Sequence, residues 1–236
     1  QAQDYERLIA PEAAREADPR TSGQPYPFFL AHALTAPVAE FEALLGPLSQ
    51  WQVEWKWDGI RAQLVKRAGQ GWLWSRGEEL ITDRFPELAR LAEALPDGTV
   101  IDGEVVVWRP DAPGEPGRVR AFAELQTRIG RKTLGPKLLR DTPVVLLAYD
   151  LLEWRGDDLR PQPLQARSAQ PDALVESLDH PSLQPSPVLV GESWAQLAVQ
   201  REQARALGVE GMMLKAREGQ YGVGRTREVG TWWKWK

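Results

Sequence analysis

Residues 52–76 alternate apolar and polar side chains in three successive runs, QVEWKW (52–57), IRAQLVKR (60–67) and GWLWSR (71–76). A period of two is the period of a β-strand, whose neighbouring side chains project to opposite faces. The joints, Asp58-Gly59 and Gly69-Gln70-Gly71, are tight-turn sequences of the kind that connect hairpin strands. Alternation then assigns each side chain a face. Val53, Trp55 and Trp57 share one side of their strand, with Glu54 and Lys56 on the other. TWWKWK (231–236) repeats the arrangement, with Trp233 and Trp235 opposite Lys234 and Lys236, and in IDGEVVV (101–107) Asp102 and Glu104 share a face. Indoles belong in a core, so core packing is predicted for Trp55, Trp57, Trp72, Trp74, Trp233 and Trp235. The charged faces either meet water, as in many antiparallel sheets, or meet one another across a cleft.

The rest of the chain adds helices between strands. RFPELARLAEAL (84–95) has helical spacing with Thr82 or Asp83 as its cap, and VRAFAELQTRIG (119–130) reads as a helix ended by Gly130. SWAQLAVQREQARALG (193–208) runs from a serine cap to a C-terminal glycine. TVIDGEVVVW (99–108), PVVLLAYDLLEW (143–154) and VEGMMLKA (209–216) read as strands. Between 160 and 187 the chain is rich in proline and glutamine, and Pro171 is expected to interrupt any long helix. Residues 1–26 read as a linker or the tail of a preceding domain, and 27–236 as one domain. Many strands, mainly joined by hairpins with a few helices between, predict an α+β fold with antiparallel sheets.

Composition narrows the chemistry. There is no cysteine, which removes disulfides, thiol nucleophiles and thiolate zinc sites, and His32 and His180 are the sole histidines. Reactivity therefore falls to lysine, arginine and carboxylates. No apolar run approaches the roughly 20 residues of a membrane span and no signal peptide is visible, so a cytoplasmic protein is expected. The net charge is −4, yet residues 118–140 carry seven basic side chains (Arg118, Arg120, Arg128, Arg131, Lys132, Lys137 and Arg140) against Glu124 alone. Residues 215–236 carry six basic side chains against two acids. Either stripe is a solvated face or the footprint of a phosphate backbone.

EWKWDGIR (54–61) resembles the K-x-D-G-x-R motif of the nucleotidyltransferases that comprise ATP-dependent DNA ligases, RNA ligases and mRNA capping enzymes. An ordered set follows it: Ser75-Arg76-Gly77, Asp102-Gly103-Glu104, Tyr149-Asp150-Leu151, Glu210-Gly211-Met212-Met213-Leu214-Lys215 and Trp233-Lys234-Trp235-Lys236. With PYPFFLAHAL (25–34) ahead of the first motif and tryptophans in the last, the set is most similar to the bacterial ATP-dependent DNA ligases over residues 27–236. The resemblance implies two antiparallel sheets flanked by helices, with a nucleotide cleft between them. It implies that Lys56 attacks the α-phosphorus of ATP to form lysyl-AMP, and that AMP passes to a DNA 5′-phosphate before the 3′-hydroxyl seals the nick.

Roles carry over by position. Glu54 contacts adenine, Arg61 the ribose or a phosphate, and Arg76 the AMP phosphate and later the nick phosphate. Glu104 binds the ribose hydroxyl or a metal, Glu210 a metal, and Tyr149 stacks on adenine. Lys215, Lys234 and Lys236 bind the triphosphate. The implied cofactors are ATP, or bound AMP, and Mg²⁺ or Mn²⁺; the implied partner is nicked double-stranded DNA, bound by a monomer. Lys215 has the opposite strand parity to Glu210, so both reach one pocket only if their strand twists or bulges. An arginine before the last motif is Arg225 or Arg227, and spacing leaves both open.

The attacking amine must be neutral, whereas a free lysine titrates at about 10.4. Glu54 and Asp58 favour the ammonium, while a divalent cation and Arg76, Lys215, Lys234 and Lys236 oppose it. The chain ends on the fifth motif, and the resemblance places a sixth in an OB-fold domain. An isolated adenylation domain, weakly active by itself, is the expectation. The alternatives are an RNA ligase or GTP-dependent capping-type nucleotidyltransferase, and a non-catalytic nucleic-acid-binding module.

Overall fold

A computed structural model describes residues 23–236. The linker reading of residues 1–26 falls, for 1–22, outside the described residues. In chain order the elements are β1 (His32–Ala33), α1 (Phe41–Leu45), β2 (Trp51–Trp57), β3 (Ile60–Arg67), β4 (Gln70–Ser75), α2 (Pro86–Ala94) and β5 (Thr99–Arg109). Next come β6 (Arg118–Val119), α3 (Phe122–Ile129), α4 (Pro136–Asp141), β7 (Val144–Trp154), β8 (Asp157–Asp158) and α5 (Leu164–Leu178). The last are β9 (Leu183–Pro185), β10 (Val188–Leu189), α6 (Trp194–Glu202), α7 (Ala204–Leu207), β11 (Val209–Ala216) and β12 (Trp232–Trp235).

The strands form two sheets. One runs β1-β12-β11-β2-β10; the other runs β4-β3-β5-β7-β8, with β6 added to β5 and β9 to β7. Pairing is antiparallel except for β1 on β12 and β9 on β7, so both sheets are mixed at an edge. The Asp58-Gly59 joint is not a hairpin. β2 pairs with β11 and β10, and β3 with β4 and β5, so this turn passes the chain from one sheet to the other. Glycine is required there because a Cβ on Gly59 would stand 2.4 Å from the Val105 carbonyl oxygen. Lys56 and Arg61, five residues apart in sequence, consequently stand on facing walls of a cleft.

Each sheet has its own core. Phe85, Leu88 and Leu91 of the α2 region, with Leu125 and Leu174, pack on Leu64, Leu73, Ile101 and Leu146 of the larger sheet. Phe41, Trp194 and Leu197 pack on Val53, Met212, Leu214 and Trp235 of the smaller one, with Trp55 and Trp233 against them. Of the indoles predicted for this core, Trp235 is buried in it and Trp55 and Trp233 pack on it half-buried. Trp72 and Trp74 pack into the layer of Phe29, Val65, Tyr221 and Trp232. Trp57 leaves the face of Val53 and packs against Val106 and Val145 of the other sheet, its indole donating to Ser186 Oγ at 2.9 Å.

Residues 23–30 lie along β3 as a strap, held by side chains that β3 projects from one face. Arg67 donates to the Gln24 carbonyl, Gln63 brackets the Tyr26 backbone through both ends of its amide, and Arg61 donates to the Phe29 carbonyl at 2.5 Å. The strap then enters the smaller sheet as β1, so it ties the two sheets together.

Three helix expectations need correction. Thr82 does not cap α2; its hydroxyl accepts from the Leu73 amide, and Pro86 opens the helix instead. Residues 118–119 pair with β5, so α3 begins at Phe122, and Gly130 ends it in ordinary right-handed conformation at φ −72°. Pro171 sits inside the 15-residue α5 rather than breaking it. An interior proline costs about 3 kcal/mol, and here it lies on the buried stripe of Leu164, Arg167 and Leu174, whose packing offsets that loss. The 193–208 helix bends at Gln203 into α6 and α7, with Ser193 capping one end and Gly208, at φ 70°, the other. Among the described residues no helix is long and apolar enough to cross a membrane.

Candidate active site

The cleft between the sheets holds a cavity of about 530 Å³. Its walls contain every residue to which the motifs assign a nucleotide, metal or catalytic role: Glu54, Lys56, Glu210, Lys215, Lys234 and Lys236 from the smaller sheet or its ends, and Arg61, Arg76, Glu104 and Tyr149 from the larger. Asp58 and Arg225 line it too, whereas Arg227 lies outside its lining and stacks on Trp233 at 4.9 Å.

The parity conflict between Glu210 and Lys215 is resolved by a bulge. Pairing of β11 with β2 shifts register between Val209 and Gly211, and the extra residue re-aims Glu210 into the cleft. Gly211 sits at φ +139°, and a Cβ there would stand 2.3 Å from the Trp235 carbonyl oxygen. Glycine at this position is thus a geometric necessity.

Electrostatically the cleft has two ends. At the enclosed end Glu54 is buried, accepting from Lys215 Nζ at 2.9 Å and from Gln52 at 2.7 Å. The Lys215 ammonium lies over the Tyr149 ring (4.2 Å) and the Trp232 ring (4.6 Å). Burial pushes the Tyr149 phenol well above its ordinary range, so it stays a neutral hydroxyl. At the open end Lys56 is ion-paired with Glu210, whose other oxygen accepts from Lys236 at 3.0 Å. Burial works to raise the Glu210 carboxyl, but the hydrogen bonds from Lys56 and Lys236 win and hold it below the ordinary range. Lys56 therefore answers to Glu210; Glu54, the carboxylate two residues away in sequence, is already taken by Lys215.

Across the cleft Arg61 is fixed by Asp102 (Nε 3.2 Å, Nη2 2.7 Å) and by the strap carbonyl of Phe29. Glu104, its cross-strand neighbour, has no hydrogen-bond donor among the described residues. Burial pushes it up to about 8, against the pull of Arg61 and Lys56. A half-buried carboxyl with no donor, facing a second carboxylate across a cleft, fits a divalent cation that takes its remaining ligands from substrate phosphates. No group of three or more His, Cys, Asp or Glu side chains among the described residues forms a cage by itself.

Within the basic stripe 118–140, Arg118 and Arg120 pair with Asp111, Lys137 pairs with Asp141, and Arg128 is buried against Glu87, while Arg131, Lys132 and Arg140 are exposed. The three acids lie outside the stripe, so its composition does not show them. Asp102, Tyr221 and Trp232 were not among the predicted site residues. Trp232 shares the parity of Lys234, the signal that could have placed it on the cleft face.

The family model described as "ATP dependent DNA ligase domain" matches residues 30–236. The chain belongs to that family. An ATP-dependent DNA ligase adenylation domain is also what its two facing sheets amount to. Among curated ligases, it is 35% identical over 205 residues to a probable DNA ligase of Opitutus terrae, covering 75% of this chain and 20% of that protein. It is 36% identical over 204 residues to a DNA ligase of Haloferax volcanii, covering 86% of this chain and 33% of the relative. This ligase domain thus spans a third or less of either relative. Among solved structures it resembles mycobacterial DNA ligase D complexed with ATP and MES, at TM-score 0.64 and 31% identity, covering 89% of this chain and 60% of the other. Chlorella virus DNA ligase-adenylate shares the ligase-domain fold at TM-score 0.61 and 20% identity, covering 90% and 69% respectively.

Proposed function

We propose that this domain performs the nucleotide-transfer chemistry of an ATP-dependent DNA ligase, with Lys56 as the nucleophile. The observation that carries the reading is the position of Lys56. Its amine stands in the cleft with a carboxylate, Glu210, on one side and a rim of cations around it. Nζ bonds to the α-phosphorus of ATP as the bond to the pyrophosphate oxygen breaks, leaving AMP on the lysine. The lysine sheds its proton in forming the phosphoramidate, so the ion pair with Glu210 has to be released before attack. AMP then passes to a DNA 5′-phosphate, and the 3′-hydroxyl displaces it.

The enclosed end, with Glu54, Lys215 and Tyr149, suits the adenine, and the Tyr149 ring offers a π-face to it. Arg61 is placed for the ribose or a phosphate. Arg76 and Lys234, with Lys236 and Arg225 at the rim, draw charge off the phosphoryl oxygens as the transition state forms. Glu104 and Glu210 are the residues that would hold Mg²⁺ or Mn²⁺. When bound, that cation supplies charge neutralisation to the phosphates.

Nicked duplex DNA is the proposed substrate of the full-length protein, with an OB-fold domain of the same protein as the proposed partner of this one. The exposed Arg131, Lys132 and Arg140, which have no ion-pair partner among the described residues, are available to its backbone. A cytoplasmic setting fits this reading. Intact-mass measurement after incubation with ATP and Mg²⁺ tests the proposal. One added AMP, absent in Lys56→Ala and absent with GTP, is expected. Label that persists in Lys56→Ala would overturn the assignment, and label from GTP alone would favour a capping-type enzyme.

A further inference from the structure

Arg61 is held at the cleft by more than its carboxylate partner. Tyr221, in the segment between β11 and β12, does not line the cavity, yet its hydroxyl touches each group that fixes Arg61. It donates to Asp102 Oδ2 at 2.5 Å, and accepts from Arg61 Nη2 and from the Phe29 amide, both at 3.3 Å. One donor and two acceptor sites are all that a phenol has, and all three are used. The ring is wedged edge-on between Phe29 (5.8 Å) and Trp232 (5.7 Å). The segment carrying it is anchored elsewhere. The Tyr221 amide donates to the Arg160 carbonyl, and the Gly219 carbonyl accepts from the Leu164 amide at the start of α5.

We propose that Tyr221 is a positioning residue for Arg61, holding the guanidinium in the orientation that receives the nucleotide. Arg61 has a competitor for its attention, because Glu104 stands opposite it on the neighbouring strand of the same sheet. Without the phenolic oxygen, Arg61 keeps Asp102 but loses one acceptor. The Phe29 amide also loses its acceptor, which loosens the strap whose carbonyl holds Arg61 Nη1. The residue acts through Arg61 alone; it reaches neither the nucleotide nor Lys56. This rests on the proposed nucleotide-transfer function.

The test is Tyr221→Phe in the whole chain, measuring ATP affinity by calorimetry and AMP transfer to Lys56 by intact mass. ATP affinity is expected to fall roughly three- to tenfold, a fraction of what a hydrogen bond to a charged group is worth. The rate at saturating ATP changes less than about twofold. In an Arg61→Gln background the same substitution has no further effect on affinity, since its route is gone. Thr142→Val is the control for a merely structural hydroxyl. It removes a hydroxyl that donates to the Leu138 carbonyl at 2.7 Å, outside both the strap and the cleft, and lowers thermal stability without changing ATP affinity.

Should Tyr221→Phe melt below the assay temperature, Asp102→Asn probes the same coupling and is expected to lose its effect in the Arg61→Gln background too. An effect of equal size in both backgrounds, or no effect on affinity, overturns the assignment. A wild-type chain that neither binds ATP nor acquires AMP overturns the functional reading itself, a different result.

Discussion

Lys215→Met removes the cation that faces Glu54 while keeping most of the side-chain volume. The pair is 2.9 Å apart, with side chains 1% and 2% exposed, so water does not reach the carboxylate once the lysine is gone. Gln52 remains as one neutral donor to one oxygen. The methionine sulfur keeps contact with the Tyr149 and Trp232 rings, so the loss is dominated by the stranded carboxylate. Removing one partner of a buried ion pair costs about 3–5 kcal/mol. In a domain of this size each kcal/mol is worth roughly 2–4 °C, so Tm should fall by roughly 6–20 °C. Differential scanning calorimetry and urea unfolding, both without nucleotide, give the number. Adding Glu54→Gln to the variant should recover more than half of the loss, because a neutral amide needs no cation. A single variant within about 1 kcal/mol of wild type, the range of a surface pair, would refute the reasoning. So would a double variant no more stable than the single.

Other perturbations follow from the same geometry. Glu104 titrates at about 8 in the fold against 4.5 when free. The folded state therefore binds the extra proton, and its stability contribution, full below about pH 4.5, is lost as pH rises through about 8. Glu104→Gln should accordingly melt higher than wild type at pH 8.5 in chelator, roughly in the few-degree range, and close to it at pH 5; melting curves at the two pH values decide. Arg167→Met leaves Asp150 buried without its two bonds, both side chains being 0% exposed, and should cost about 3–5 kcal/mol by urea unfolding. Gly211→Ala forces an L-residue to φ +139° against the Trp235 carbonyl, so a loss of at least about 2 kcal/mol is expected, with weakened ATP binding as the Glu210 bulge is displaced.

Local rules were enough for much of this protein. Alternation placed Glu54 and Lys56 on one face of β2 and sent Trp55, Trp233 and Trp235 to the other, because side-chain period is a property of the strand itself. The helix at 193–208 was legible from Ser193 and Gly208 for the same reason: capping and left-handed backbone are local. The ordered motifs named the cleft residues, and all of them line one cavity.

What alternation could not supply is which strand lies beside which. Asp58-Gly59 has the sequence of a hairpin turn, but β2 found better partners in β11 and β10, far along the chain, and the turn became the passage between sheets. Lys56 was paired in sequence with Glu54, and in space with Glu210, 154 residues away. Pro171 was misread, and the pairings of the 118–140 stripe went unseen, for a related reason. A buried stripe overrides a helix breaker, and Asp111 and Glu87 neutralise charges that composition counts as free. Sequence by itself determined the inventory and the faces, which depend on neighbours along the chain. Only the tertiary structure decided the pairs, because an ion pair or a sheet register depends on distance in space.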